Sequence, residues 1–277
     1  MRLLNSRKVL IVEYLNQEEK KMGMIDKLQQ KKNNGNMSET AKNMVEAWKY
    51  SYQYFHKNTP QDTIIKAYEK AFERGKKEGF TPVMVPVDGI LEEYFGIVEE
   101  DQYSVDDVLQ ADVGSGKKIL EERFDEYFCD VMEDGNMDEF IGEYDDEPEV
   151  MSGYFSLIDF STGETNEVIL YEVPTKNPWE LVAYIPFGGW NECPNPDEMT
   201  AICKYWYEAY GAVPTIITHD VLEMRLPKPV DEKMALEVAK EHYAFTPDRV
   251  DQGTATGTLS EVAASIAVSK GWFFWWD

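Results

Sequence analysis

The residues best suited to chemistry in this chain are one imidazole and several carboxylates that fall in loops. His219 and Asp220 form a tight turn between two apolar runs, "AVPTIIT" and "VLEMRLP". Histidine changes charge near neutral pH and acts as an acid or a base, and carboxylates also accept protons. Together with His219, the loop residues Glu192, Asp248 and Asp251 predict the acid–base site of a hydrolase or transferase.

Polar and glycine residues beside these four extend the candidate site to ligand binding. Paired glycines let the backbone approach a ligand closely, and a guanidinium contacts carboxylate or phosphate groups. The candidate ligand-binding residues are Gly188, Gly189, Trp190, Asn191, Asp220, Arg249 and Gln252. Most also have a structural interpretation: the glycines make a turn, Asn191 belongs to a helix start, the tryptophan anchors its loop, the aspartate caps its own turn, and the arginine pairs with a neighbouring acid.

Metal and thiol chemistry have weaker signals. The loop carboxylates with Gln252 offer oxygen ligands for a hard cation, but they lack the spacing of a calcium loop, so we predict no metal site and no cofactor. Cys193 stands before a proline at a helix start, where a thiolate is favoured. As a nucleophile, it would need His219 or His242 nearby.

The elements that must position these residues can be read from the final hundred residues. The pattern predicts a strand in "WELVAYIPF", a helix in "DEMTAICKYWYEAY", two hairpin strands around His219, two helices, and a last strand, "WFFWWD". This order predicts an α+β protein with a split β-α-β-β-α-β (ferredoxin-like) sheet. In that topology the loops 188–192, 219–220 and 246–253 meet at one end of the sheet.

The aromatic ending, "GWFFWWD", must be buried. Five exposed rings of roughly 150–250 Å² each would form a far larger apolar patch than monomers usually show. Because the rings do not alternate with polar residues, we expect both faces of this strand to be covered. The C-terminal helices would cover one face and the N-terminal half the other.

The chain divides into three predicted regions. Residues 1–37 are polar and predict a flexible leader. Residues 38–150 predict a mainly helical, acidic N-terminal region, with a helix from Ser38 to about His56 and one short or edge strand at 80–88, "FTPVMVPVD", where Pro82 and Pro86 limit pairing. Residues 151–277 predict the α+β C-terminal domain.

Charge and composition narrow the classes of partner. The net charge is −25, and residues 81–150 hold 23 acidic and 3 basic side chains, a net charge of −20. This field repels nucleic acid and favours a basic protein partner, although an acidic surface also serves solubility. No apolar run reaches the length of a membrane span, and the three cysteines form no CxxC pair, as in a reduced cytoplasm. We therefore expect a cytoplasmic binding or interaction protein, with the hydrolase or transferase as the alternative.

Several segments resemble one bacterial family. "WELVAYIPFGGWNECPNPDEM", "AVPTIITHDVLEMRLPKPV", "AKEHYAFTPDRVDQG" and "WFFWWD" are similar, in this order, to the domain-of-unknown-function family four-two-five-three. The stretch "ERGKKEGFTPVMVPVDGIL" resembles the upstream part of longer members. The resemblance implies a cytoplasmic bacterial protein and marks the same loops, and it implies no activity. Members often carry cysteine where this chain has Thr246, so it implies no thiol chemistry there.

Overall fold

The computed structural model describes residues 37–100, 103–132, 136–151 and 154–276. The predicted leader, residues 1–37, lies outside these ranges except for Met37, which is buried. Helices and strands are mixed, which confirms the α+β class. None of the helices in the described ranges has the length and apolar composition needed to cross a membrane.

A six-stranded sheet forms the centre of the protein. Its strands in chain order, with the two strands of a separate small hairpin included, are β1 Ser51–Phe55, β2 Thr81–Pro86, β3 Ile158–Asp159, β4 Glu164–Thr165, β5 Val168–Val173, β6 Val213–Ile217, β7 Val221–Arg225 and β8 Gly271–Trp275. The sheet order is β1-β5-β2-β6-β7-β8, and β3 pairs with β4. The pair β2–β6 is parallel, and the other neighbours in the sheet are antiparallel.

Helices pack on both faces of this sheet. They are α1 Glu39–Trp48, α2 Gln61–Glu78, α3 Gly89–Glu100, α4 Val105–Gln110, α5 Gly116–Met132, α6 Met137–Ile141, α7 Leu181–Tyr184, α8 Pro196–Tyr210, α9 Glu232–Phe245, α10 Asp248–Asp251 and α11 Leu259–Val268. The larger core lies between one sheet face and helices that include α1, α5, α8, α9 and α11. On the other face, α2 packs Ile64, Tyr68 and Ala71 against β1, β5, β2 and β6.

The ferredoxin-like arrangement is not found. The predicted first strand, "WELVAYIPF", is wrong, because Pro178–Glu180 forms a 3-10 turn that continues into α7. A continuous apolar run fits a buried helix turn as well as a buried strand, and Pro178 suits the first position of a helix. The sheet instead gains β1 and β2 from the region 38–150.

The long helix predicted from Ser38 to about His56 is also wrong in its second half. Ser38 caps α1 as expected, with its hydroxyl accepting the Ala41 N–H at 3.1 Å. Lys49 then adopts a left-handed conformation with φ 54°, and its N–H bonds the Val45 carbonyl. This cap ends the helix, and the chain turns into β1, so the N-terminal region supplies two strands where one was predicted.

The aromatic ending is largely buried, as predicted, but its two faces differ. Trp272, Phe274 and Trp276 are buried, whereas Phe273 and Trp275 are half-buried. Phe274 stacks on Trp206 of α8, with ring centroids 5.3 Å apart. The strand therefore buries alternate rings against the helices and turns the other two toward the opposite face of the sheet.

Candidate functional site

A cavity of about 570 Å³ lies at one edge of the sheet. The turns after β2 and β6 form one part of its wall, strands β7 and β8 a second, and residues 155–166 a third. We call residues 155–166 the hairpin segment, since they contain β3 and β4. The lining residues are Pro86, Val87, Asp88, Gly89, Ser156, Ile158, Phe160, Asn166, Thr218, His219, Asp220, Val221, Phe273 and Trp275.

An aspartate–histidine pair stands in the cavity wall. Because β2 and β6 are parallel, their carboxyl ends lie at the same edge of the sheet, and Asp88 follows one while His219 follows the other. Oδ2 of Asp88 contacts Nδ1 of the His219 ring and accepts the His219 backbone N–H at 3.1 Å. Oδ1 accepts the Ile90 N–H at 2.9 Å at the start of α3. Asp88 thereby fixes the imidazole and caps a helix at once.

Asp220 stands on the other side of the same imidazole. Its Oδ2 lies 3.5 Å from Nε2 of His219 and accepts the indole N–H of Trp275 at 3.1 Å. Its Oδ1 accepts the Thr218 hydroxyl at 2.9 Å. The imidazole is therefore held between two carboxylates, and the aromatic end of β8 fixes one of them.

The electrostatics of this pair favour an ionised aspartate beside a protonated histidine. The hydrogen bond to Asp88 raises the pKa of His219; burial opposes this rise, and the charges of Asp88 and Asp220 add to it. Burial acts to raise the pKa of Asp88, but the hydrogen bond and charge of His219, with backbone donors, outweigh it and leave that pKa lowered. An imidazole held in this way can give or take a proton at the cavity wall.

The hairpin segment is attached to the sheet through a buried carboxylate. Glu223 of β7 is 3% exposed and accepts the N–H groups of Phe155 at 3.1 Å and Ser156 at 2.7 Å. Burial raises the pKa of Glu223, and these hydrogen bonds oppose the rise. The Phe155 ring packs edge-on against Phe273, with centroids 5.9 Å apart. The base of the segment is thus fixed, and Phe160 near its tip is 76% exposed.

Residues in or directly beside the three loops predicted to meet contact the end of β8. Phe187 directly precedes the loop 188–192, and its ring packs edge-on against the Trp276 ring, with centroids 5.4 Å apart. The Trp276 N–H bonds the Asp220 carbonyl at 3.1 Å. The Thr246 hydroxyl donates to the Trp275 carbonyl at 2.8 Å. The buried aromatic ending therefore connects loops that are distant in sequence.

Residues 169–277 match the family model described as Domain of unknown function (DUF4253). This is the family that the sequence motifs resemble. Comparisons with curated proteins and with solved structures gave no match. The DUF4253 match includes His219, Asp220 and Trp275, whereas Asp88 and the hairpin segment precede it. The cavity is therefore built from residues on both sides of the DUF4253 boundary.

The loop 188–192, inside the DUF4253 match, is held by packing and hydrogen bonds within the protein. Gly188 and Gly189 have positive φ of 99° and 84°, and the Gly188 carbonyl accepts the Tyr94 hydroxyl at 2.7 Å. Trp190 packs against Tyr94 and Phe187, with centroids 5.4 and 5.3 Å away. These contacts fit the interpretation of Trp190 as an anchor of its loop.

Two further candidates of this loop lie at the surface. Asn191 and Glu192 are exposed, and the Glu192 carbonyl accepts a hydrogen bond from Arg123. Glu192 was predicted to share an acid–base site with His219, but the His219 ring contacts Asp88 and Asp220. Glu192 does not line the cavity in the described part of the protein.

The loop 246–253 forms short-range contacts. Asp248 begins α10 and accepts the Gln252 side-chain amide at 2.6 Å, and Asp251 is exposed. Arg249 is buried and donates to the Gly253 carbonyl at 3.4 Å. None of these four is among the described residues that line the cavity. Among the predicted catalytic residues, His219 lines the cavity. Among the predicted ligand-binding residues, Asp220 lines it.

Thiol chemistry at Cys193 does not fit the structure. The residue is buried, and burial raises the pKa of its thiol, which is the reverse of what a nucleophile needs. Within the described ranges, no group of three or more His, Cys, Asp and Glu side chains is placed to hold a metal ion.

Sequence reasoning missed Asp88, Trp275 and the hairpin segment as parts of the site. One signal for Asp88 was present, since it directly follows the apolar run "FTPVMVPV". A polar residue just past the carboxyl end of a buried strand is a common ligand or catalytic position in α/β sheets. Its parallel neighbour β6, which His219 follows, lies more than a hundred residues further along the chain.

Proposed function

We propose that this protein binds a small molecule in the cavity and that His219 exchanges a proton with it. The observation that carries the proposal is the contact of Asp88 with Nδ1 of His219 at the cavity wall. A histidine oriented through Nδ1 by a carboxylate is the arrangement that general acid–base catalysis uses. As part of the same proposal, we place the protein in the bacterial cytoplasm.

The size and lining of the cavity support a small ligand. Ligand pockets of proteins usually measure roughly 300–1,000 Å³ and combine apolar walls with a few polar groups. The volume of about 570 Å³ falls within this range. Val87, Ile158 and Phe273 supply apolar wall, and Asp88 and Asp220 supply polar groups beside His219.

An acid–base enzyme built on this centre is the alternative that the geometry favours over the set Glu192, His219, Asp248 and Asp251. It keeps His219 and takes Asp88 and Asp220 as its carboxylates. The hydroxyls of Ser156 and Thr218 belong to residues of the same wall. The Thr218 hydroxyl is held by Asp220 at 2.9 Å, so its bond would have to change before it could react.

The test is a fragment screen followed by NMR. We expect bound fragments to shift the indole N–H signal of Trp275 and the imidazole signals of His219 together. Asp88→Asn removes the charge beside the ring, so the pKa of His219 should fall in an NMR titration. Asp248→Asn, outside the cavity, is the control and should leave that pKa unchanged. Fragments that bind elsewhere, or none that bind, would count against the proposal.

We also propose that the acidic region engages a basic protein partner. Its few cations are partly neutralised, since Lys117 pairs with Glu121 at 3.6 Å and Lys118 with Glu122 at 2.9 Å. An electrostatic complex should weaken as salt rises. A basic protein that the immobilised chain retains at low salt should be released at high salt. A variant in which exposed carboxylates of α5 are changed to amides should retain it less. Retention that ignores both changes would oppose this second proposal.

A further inference from the structure

We infer that the ligand of this cavity is a protonated amine with an apolar or aromatic body. The inference rests on the proposed function and adds the chemical class of the ligand. It depends on three features of the cavity: the charge of its lining, its aromatic rings beside a carboxylate, and its apolar rim.

The charge of the lining favours a cation. Among the described residues that line the cavity, the carboxylates are Asp88 and Asp220, and there is no lysine or arginine. With His219 protonated the lining keeps one net negative charge, and with His219 neutral it has two. The protein as a whole carries a charge of −25, which opposes the approach of an anion and attracts a cation.

Arg225, at the far end of β7, does not reverse the negative charge of the cavity lining. Arg225 lies on β7 beyond the lining residues and pairs with Glu69 at 3.1 Å. Its guanidinium lies 4.5 Å from the centroid of the Phe72 ring of α2. Buried Glu223, on the same strand, carries a carboxylate that two backbone N–H groups hold. A phosphate or carboxylate ligand would therefore enter a cavity without a cation of its own apart from His219.

Asp220 is the carboxylate best placed to receive an ammonium group. The Asp88 oxygens are already engaged by the His219 imidazole, the His219 backbone N–H and an N–H in the first turn of α3. Asp220 accepts the Thr218 hydroxyl alone on Oδ1, whereas Oδ2 accepts the Trp275 indole and also lies 3.5 Å from Nε2 of His219. Each carboxylate oxygen has two acceptor positions, so Asp220 retains acceptor capacity toward a donor.

Aromatic rings accompany this carboxylate. Trp275, which holds Asp220 through its indole N–H, lines the cavity with Phe273 and Phe160. An ammonium group over a tryptophan face is attracted by the negative face of the ring, and more strongly where it is desolvated. A carboxylate beside aromatic rings thus recognises a charged amine better than it recognises a neutral alcohol.

Strongly exposed apolar side chains occur in the cavity lining and directly beside it in sequence. Phe160, in the hairpin segment, is 76% exposed, and Ile90, directly after the lining residue Gly89, is 58% exposed. Both are among the large apolar side chains that are exposed in the described part of the chain. Exposed apolar groups at a cavity rim match a ligand whose body is apolar and whose charged end points inward.

Three probes with one phenyl body separate the possibilities: 2-phenylethylamine, 2-phenylethanol and phenylacetate. Affinity is measured on the full chain by calorimetry, and the site by the indole N–H signal of Trp275. We expect the amine to bind at least tenfold more tightly than the alcohol, and phenylacetate to bind most weakly. Asp220→Asn should remove the preference for the amine, and Asp248→Asn should keep it.

The outcomes distinguish the two proposals. Equal or tighter binding of the alcohol or of phenylacetate, with the Trp275 signal shifted, would overturn the amine class and leave small-molecule binding standing. If no probe shifts Trp275, the amine class is wrong, and the fragment screen then decides small-molecule binding separately. If Asp220→Asn fails to fold, N-acetyl-2-phenylethylamine, which lacks the charge, replaces it: binding as tight as that of the amine would overturn the inference.

Discussion

Removing the Trp276 side chain should destabilise the protein strongly, and more than removing the half-buried Trp275 side chain. Trp276 is 2% exposed, and its ring packs against Phe187 at 5.4 Å and Phe245 at 5.1 Å. Truncation of a buried tryptophan to alanine costs about 3–5 kcal/mol, because apolar contacts are lost and a cavity remains. The indole N–H finds no hydrogen-bond partner among the described residues, so this cost is one of packing.

Two matched substitutions separate packing from hydrogen bonding. Trp276→Phe keeps an aromatic ring and removes the unpaired N–H, whose burial itself costs about 1–3 kcal/mol. We therefore expect it to cost less than half as much as Trp276→Ala. Trp275→Ala removes a half-buried ring and the hydrogen bond to Asp220, and should also cost less than Trp276→Ala.

The assay is urea unfolding, with hydrogen exchange to locate the effect. Because Trp276 joins the loop before Gly188 to the Asp220 turn, both should exchange faster in Trp276→Ala. A change in the midpoint at constant slope reports stability directly. A loss below about 1 kcal/mol for Trp276→Ala, or equal losses for Trp275→Ala and Trp276→Ala, would contradict the account of this strand as the junction of the loops.

Two further predictions concern buried groups that the site does not use. Burial, with the nearby charge of Arg249, lowers the pKa of His242 well below 6.5. A lowered native pKa means that, as pH falls, the unfolded chain binds the proton first. The free energy of unfolding should therefore fall by up to about 1.4 kcal/mol per pH unit below pH 6.5. In unfolding curves measured from pH 7 to 5, His242→Phe should remove this part of the pH dependence. At Gly188 a Cβ would overlap the Pro194 carbonyl at φ 99°, whereas at Gly114, φ 83°, it would meet open space. In calorimetric melting, Gly188→Ala should therefore cost more than the roughly 1–2 kcal/mol of a left-handed residue, and Gly114→Ala about that amount; equal costs would contradict the close approach.

The meeting of the loops was predictable because it follows from the order of elements near the C-terminus. Hydrophobic runs located α8, β6, β7, α9, α11 and β8. Alternating direction along these elements brings the His219 turn and the later loops to one end of the sheet. For the loop 188–192 the argument relied on a strand that is absent, and Phe187, directly before that loop, packs against Trp276 without it.

The contact of Asp88 with His219 was not predictable, because it depends on the pairing of two strands that are distant in sequence. Residues 80–88 were assigned to an edge or short strand on account of Pro82 and Pro86. The strand β2 is instead central, between β5 and β6, with all six residues buried. Its pairing with β6 is limited to Met84 opposite Ile216, so the prolines stand outside the parallel ladder. Local patterns do not reveal which strands pair across such a distance.

The candidate site therefore depends on the whole described sheet and not on the DUF4253 match alone. His219 and Asp88 are 131 positions apart in sequence, and their contact exists because β2 lies parallel to β6. Without β2, the edge of β6 would be open and the imidazole would lose the carboxylate that raises its pKa. The hairpin segment, attached through Glu223, completes the wall from outside the matched residues. In this chain, the carboxylate that hydrogen-bonds the His219 ring thus comes from a residue that precedes the DUF4253 boundary.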